Sequence, residues 1–417
     1  MNNTTKITLF QNLLEQAGSY LTFLFNKLKT SSGNYNLAII ENINYFEPEK
    51  PKNKKALLTL SPSAWLRAIK EYPNIRYFNY VGLTFEIVRA LNLNGYLVDI
   101  SDINSIIYPK KDYDLLIGHG GRCKQIIDSL KKDAKIIQYV SGEFWEGFNK
   151  ETAERYSAFC KRKNIKEKLV FKRSLDGLTE GENYLTEKAD ILFTGNFPRM
   201  VDSFGRYKNK FYFTGLGAYP DKLLYIPIEQ RDYINGRKNF IYVGGTNGNI
   251  QKGMDLLIEA FSKTPELNLY IYCKVEKEIF EYYKKELNNK NIHYIYHWRF
   301  PPFRNRMKEL MKKTPFTVHA PQNTGIGTAF MGSMLLGLVP VGYVDLEDDL
   351  DFAVLSSSWQ IDDLVEVIKE ASNKSPEWCK DAAKKTIEYS KKNWSVESFR
   401  EKFNEMIRTV DDIVKGG

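Results

Sequence analysis

The sequence predicts an α/β protein made of two doubly wound domains that face each other across a central cleft. A chain of 417 residues is too long for one ordinary core, since domains usually hold about 100–200 residues. Short β-rich runs alternate with amphipathic helical patterns from about residue 55, and after a polar break the same rhythm starts again. Glycines cluster where strands should end, in GHGG (118–121), VGG (243–245) and NTGIG (323–327). In open α/β sheets ligands sit beyond the carboxyl ends of the strands, so this placement predicts a cleft enzyme or cleft binder rather than a scaffold.

The elements follow in order. Residues 1–50 read as an N-terminal extension. Within it Phe10, Leu13, Leu14, Ala17, Leu21, Leu24, Phe25 and Leu28 recur at roughly helical spacing, with Lys27 and Lys29 at the end. That face either packs on the domain or lies against a membrane surface or partner. ALLTLSP (56–62) reads as a strand and TFEIVRALNLNG (84–95) as a helix stopped by Gly95. YLVDISD (96–102), YDLLIGHGG (113–121), AKIIQYVSGEFW (134–145) and ADILFTGN (189–196) continue the strands, and KFYFTGLG (210–217) offers another. LLYIPIEQRDYINGRKN (223–239) is polar and carries a proline and a glycine, which marks a break with a hinge near residue 230.

NFIYVGG (239–245) restarts the strand series, followed by an amphipathic helix, KGMDLLIEAFSKT (252–264). LNLYIYC (267–273), NIHYIYHW (291–298), FTVHA (316–320) and LVPVGYVD (338–345) are further strands. SVESFREKFNEMIRTVDDIV (395–414) is a terminal helix. The expected division is 1–228, 229–392 and a terminal segment 393–417.

Composition narrows the function. With 43% hydrophobic and 27% charged residues the chain reads as soluble and globular. No apolar run approaches the ~20 residues that span a bilayer, and the N-terminus lacks a signal-peptide pattern. The expected location is cytoplasmic, with peripheral contact at the inner membrane face left open. Cys123, Cys160, Cys273 and Cys379 are far apart and form no CxxC, so reduced thiols are expected. His293 and His297 lie on a strand with no carboxylate partner, and no metal is expected. The net charge of +9 favours an anionic partner. KNKK (52–55) and KRKNIKEK (161–168) read as solvated faces, and no nucleic-acid motif accompanies them, so nucleic acid is not an expected partner.

The second half holds the chemistry. A helix N-terminus with free amides is a natural phosphate site. In GGTNGNIQKG, Gly244 and Gly245 end a strand, Thr246 follows, and Lys252 opens a helix where its ammonium can neutralise a diphosphate. In NTGIGTAF, Thr324 and Thr328 can add hydroxyl donors around the amides of Gly325, Ile326 and Gly327. The plainer reading of both places is turns with a solvated lysine. Neither is GxxxxGK[ST]. Gly325-x-Gly327 with Asp345 imitates a dinucleotide fingerprint, but Pro321, Gln322 and Asn323 separate the glycines from the strand, and Gly332 falls two places late.

NFIYVGGTNGNIQKGMDLLIEAF and APQNTGIGTAFMGSMLLGLVPVGY resemble the donor-binding domain of GT-B glycosyltransferases, of the retaining, family 4-like kind. SGEFWEGFNKETAERYSAFCKRKNI and ADILFTGN are similar to the group 1 transferases of bacterial surface-polysaccharide synthesis. The resemblance implies two Rossmann-like domains, acceptor-side first and donor-side second, with the last helix crossing back. It implies sugar transfer from a nucleotide-diphosphate sugar to a glycan or lipid-linked acceptor, with no cofactor. It places the diphosphate-binding lysine on Lys252, the glycine turn facing the diphosphate on Gly325 and Gly327, and a histidine near the donor sugar on His119.

Three positions depart from the family. Gly245 stands where an arginine is usual, and Thr324 and Gly332 stand where two glutamates hold sugar and ribose. An unusual donor, compensating neighbours and a catalytically inactive partner subunit each account for this; an epimerase of the same fold is a further reading. Residues also suggest Glu143 as an acceptor-side acid, or a carboxylate at a helix start, and Arg299 beside the base. Trp145 and Trp65 are candidates for stacking on sugar rings or for the core. In the implied mechanism the amides and Lys252 stabilise the leaving diphosphate, whose oxygen receives the acceptor proton.

Overall fold

The computed structural model describes residues 39–72, 80–102, 108, 111–120, 123–166, 179–195, 197–215, 224–244, 248–295, 301–321, 327–344, 346 and 350–416. The helical face expected over residues 10–28 and His297 lie outside them.

The first half is a seven-stranded sheet of β1 (Ile39–Ile43), β2 (Lys54–Leu60), β3 (Tyr96–Asp102), β4 (Leu115–Gly118), β5 (Lys135–Tyr139), β6 (Ile191–Thr194) and β7 (Phe211–Phe213). Its order is β1-β3-β2-β4-β5-β6-β7, parallel throughout except for β1, which runs antiparallel to β3. Thus part of the expected N-terminal extension is an edge strand of the sheet. The inner strands are apolar on both faces because helices cover both: Leu57, Leu58, Leu115, Leu116, Ile117, Leu192 and Phe193 have essentially no exposure.

The second half is a six-stranded, wholly parallel sheet of β8 (Asn239–Val243), β9 (Asn268–Tyr272), β10 (Ile292–Tyr294), β11 (Phe316–His319), β12 (Val339–Gly342) and β13 (Val354–Leu355). Its order is β10-β9-β8-β11-β12-β13. The strand order reverses direction between β2 and β4 in the first sheet and between β8 and β11 in the second. Such switch points open a crevice at the strands' carboxyl ends.

Two helices cross between the halves. The terminal helix Val396–Gly416 returns to the first half, where Arg400 makes a two-pronged bond to Glu86 (2.8 and 2.6 Å) on helix Tyr80–Leu93. Asn404 accepts from Asn94 at 2.7 Å, and Phe403 meets the ring of Phe193 at 5.1 Å. Helix Trp145–Lys163 leaves the first sheet after β5 and packs on helix Met254–Ser262 of the second. There Arg155 and Asp255, both fully buried, form an ion pair that Arg162 joins at 2.5 Å. Burial pushes the Asp255 carboxyl up and the Arg155 guanidinium down, against their mutual attraction. Removing one partner therefore leaves an uncompensated buried charge.

The segment read as a hinge is anchored to the second half. The buried Arg231 donates to the carbonyls of Ile226, Leu336 and Gly337, at the carboxyl end of helix Thr328–Leu335 where the helix dipole favours a cation. Among the described residues no helix is long and apolar enough to cross a membrane. The four cysteines are free thiols.

Candidate functional site

In the second half the loop after β8 is a tight turn, in which Lys252 N–H donates to Gly248 O at 2.9 Å and Met254 N–H to Asn249 O at 3.0 Å. Lys252 was expected to open the helix, but the helix starts at Met254 and Gly253 is its N-cap. The reason is steric. Gly253 has φ +79°, and a Cβ there would lie 2.0 Å from the carbonyl oxygen of Ala320, so only glycine lets the turn approach the end of β11. Lys252 is thereby held on the turn, ahead of the helix.

Three other groups hold this turn. The Glu276 carboxylate, just after β9, accepts from Gly248 N–H and Asn249 N–H at 2.8 and 2.7 Å. From the first half, Arg155 Nε donates to Ile250 O at 2.9 Å, and Gln251 donates to Thr152 at 3.4 Å. The Lys252 charge acts on two buried side chains at the strand ends. It adds to burial in pushing the His319 imidazole down to about 3, and it opposes the burial that pushes the Cys273 thiol up to about 12.

Gly244 ends β8 with the Tyr242 ring beneath it; a Cβ would lie 2.6 Å from that ring. Gly327 caps helix Thr328–Leu335, which places Thr328 in its exposed first turn with no acidic residue there. Among the described residues a Cβ on Gly332, one turn further on, would meet nothing within 4 Å. Gly245, Thr246, Arg299, Thr324, Gly325 and Ile326 lie outside the described residues.

In the first half His119 follows β4 at the switch point. Its backbone N–H donates to the Thr59 hydroxyl of β2 at 3.1 Å. Its Nδ1 lies 3.0 Å from Tyr139 O. A carbonyl can only accept, so Nδ1 carries the proton and Nε2 keeps the lone pair. Burial lowers its pKa, opposed by that bond, which favours the neutral imidazole.

Glu143 does not act as the helix-start carboxylate: the N-cap of helix Trp145–Lys163 is Phe144, which makes no side-chain cap. Glu143 is buried and hydrogen-bonds instead with Glu151, two turns into the helix. Burial and the Glu143 charge push the Glu151 carboxyl up to about 8, with Arg199 opposing. Trp65 is core, 4% exposed and stacked 6.0 Å from Phe85. Trp145 donates to Asn183 at 2.7 Å.

The residues that the sequence reading missed join the walls. Arg199, at the start of the helix after β6, stacks on Tyr343, just after β12, with its guanidinium 4.3 Å from the ring centre. The carboxyl ends of the two sheets therefore meet across the cleft. Nothing in a single chain pairs residues so far apart. His319 had a local signal, a histidine closing an otherwise apolar strand.

No protein-family model matches the sequence, and no curated protein matches it. Solved structures match the architecture. HepE of Anabaena in complex with UDP-glucose aligns with TM-score 0.54 at 10% identity, over 85% of this chain and 99% of that one. The lipopolysaccharide outer core galactosyltransferase WaaB, apo form, aligns with TM-score 0.51 at 12% identity, over 86% and 99%. The chain has the GT-B fold. At such low identity the shared property is the architecture itself: two parallel sheets with their carboxyl ends turned toward each other.

Proposed function

We propose that this protein is a glycosyltransferase that moves a sugar from a nucleotide-diphosphate sugar to a glycan or lipid-linked acceptor, with retention. One observation carries the reading: the turn that bears Lys252, next to the end of β11, is held by Glu276, Arg155 and the Gly253–Ala320 contact. A fixed cation at that place neutralises a diphosphate in the ground state and stabilises the charge that grows as the glycosidic bond breaks. In the same reading Gly325 and Gly327 are the glycines that face the diphosphate. Across the cleft, the neutral His119 and the Glu143–Glu151 pair are the groups for orienting sugar and acceptor hydroxyls. The acceptor proton passes to an oxygen of the leaving diphosphate, so no protein base is required. Domains meeting over such a cleft exclude water and hold both substrates in register.

The family's glutamates are replaced by Thr324 and Gly332, and this favours a second reading: a GT-B subunit that binds but does not transfer. Purified protein challenged with UDP-, GDP- and dTDP-sugars in a thermal-shift assay separates the two. Because HepE was solved with UDP-glucose, that sugar is the first to try. Stabilisation by one donor, followed by release of its nucleoside diphosphate, supports transfer. Indifference to every donor removes the enzyme reading and leaves the subunit.

A further inference from the structure

We infer that His319 is a ligand-binding residue, donating a ring N–H to an anionic oxygen of the bound diphosphate beside Lys252. The inference rests on the diphosphate reading of the cleft and adds a group to it. The imidazole closes β11 and is 2% exposed, stacked between Tyr242 at 5.5 Å and Phe330 at 5.0 Å. Among the described residues neither of its ring nitrogens has a hydrogen-bond partner. The Tyr242 hydroxyl, on the adjoining ring of the same stack, is also buried without one.

A buried polar group left in this state carries an unpaid desolvation cost, and a leucine or phenylalanine would fill the same slot without it. Such groups are commonly completed by a ligand or an enclosed water. The chemistry of the cluster says what. Lys252 offers ammonium donors, Tyr242 an O–H and His319 an N–H. Burial and the Lys252 charge keep the imidazole neutral at physiological pH, so it adds a donor without adding a second cation. A seat of donors around one cation fits an anionic oxygen. The placement agrees: Tyr242 lies under Gly244, His319 directly precedes the Ala320 carbonyl that abuts Gly253, and both therefore border the Lys252 turn.

The test uses the full chain and two probes, UDP and inorganic diphosphate, with binding measured by calorimetry. His319→Phe keeps the ring stack and removes both nitrogens; His319→Gln restores an N–H. A hydrogen bond to a charged group sets the expected loss, so His319→Phe should weaken both probes by about 10–100-fold. Its unliganded melting temperature should stay the same or rise. His319→Gln should recover most of the affinity. If His319→Phe binds both probes as wild type does, an enclosed water satisfies the imidazole and the inference falls while the diphosphate reading stands. If wild type binds inorganic diphosphate in a His319-dependent way but no nucleotide, the inference stands and sugar transfer falls. If wild type binds neither probe, both are overturned.

Discussion

The two walls of the cleft are built from opposite chemistry. The first-half wall carries acids and a neutral imidazole: Glu143 bonded to Glu151, and His119 locked on the Tyr139 carbonyl. The second-half wall is a seat of donors, with Lys252 on a rigid turn and His319 and Tyr242 below it. The difference teaches which partner each wall suits. In the proposed reading the second wall meets the anionic diphosphate with the Lys252 charge and N–H groups. In the same reading the acceptor's hydroxyl groups, which both donate and accept, meet the carboxyl groups of the first wall. What joins the walls is the buried Arg155–Asp255 pair and the Arg199–Tyr343 stack.

Breaking the joint should have the largest effect. Asp255→Ala strands a fully buried Arg155, and losing one member of such a pair typically costs about 3–5 kcal/mol. A large fall in the denaturant midpoint is expected, since Asp255 also stands next to the Lys252 turn. A midpoint close to wild type would mean that the pair does not join the halves.

Next comes the donor wall alone. Lys252→Ala should lower donor turnover by about 10²–10³-fold, as removal of one preorganised charge-stabilising donor does elsewhere. Folding should hardly change, because the turn is held by Glu276, Arg155 and Gly253 rather than by the ammonium. Turnover unchanged in this variant would detach the second wall from the chemistry.

The acid wall should show itself in pH dependence. The Glu151 carboxyl is raised from 4.5 to about 8 in the fold, so its protonated form is favoured there. That contribution to stability is complete below about 4.5 and is lost as pH rises toward about 8. Melting temperature followed from pH 5 to pH 8 should thus fall in wild type, and Glu151→Gln should flatten the fall. Parallel curves for the two proteins would show that the Glu151 carboxyl does not set the pH dependence. A pH-dependent acceptor affinity that disappears in the same variant would place the acceptor on this wall.

Much of the frame was legible in the chain. Runs such as ALLTL and NFIYV announce buried parallel strands because both of their faces are apolar, and periodicity survives without knowledge of neighbours. Gly253 was legible as a breaker only in hindsight: the helix was expected to begin at Lys252, and what moved its start was the carbonyl of Ala320, some seventy residues away. Glu143 shows the same limit. Its position before a helix suggested capping, but its partner Glu151 was decided by how the helix leaves β5 and leans on the second half.

By itself, then, the sequence determined the alternation of strand and helix and the glycines at strand ends, since these depend on local sterics. Tertiary structure alone decided that β1 closes the first sheet's edge, that Arg155 reaches Asp255, that Arg199 covers Tyr343 and that His319 is buried beside Lys252. The physical reason is that hydrogen bonds, ion pairs and desolvation depend on distance in space, and distant residues reach one another only when the sheets have formed and closed.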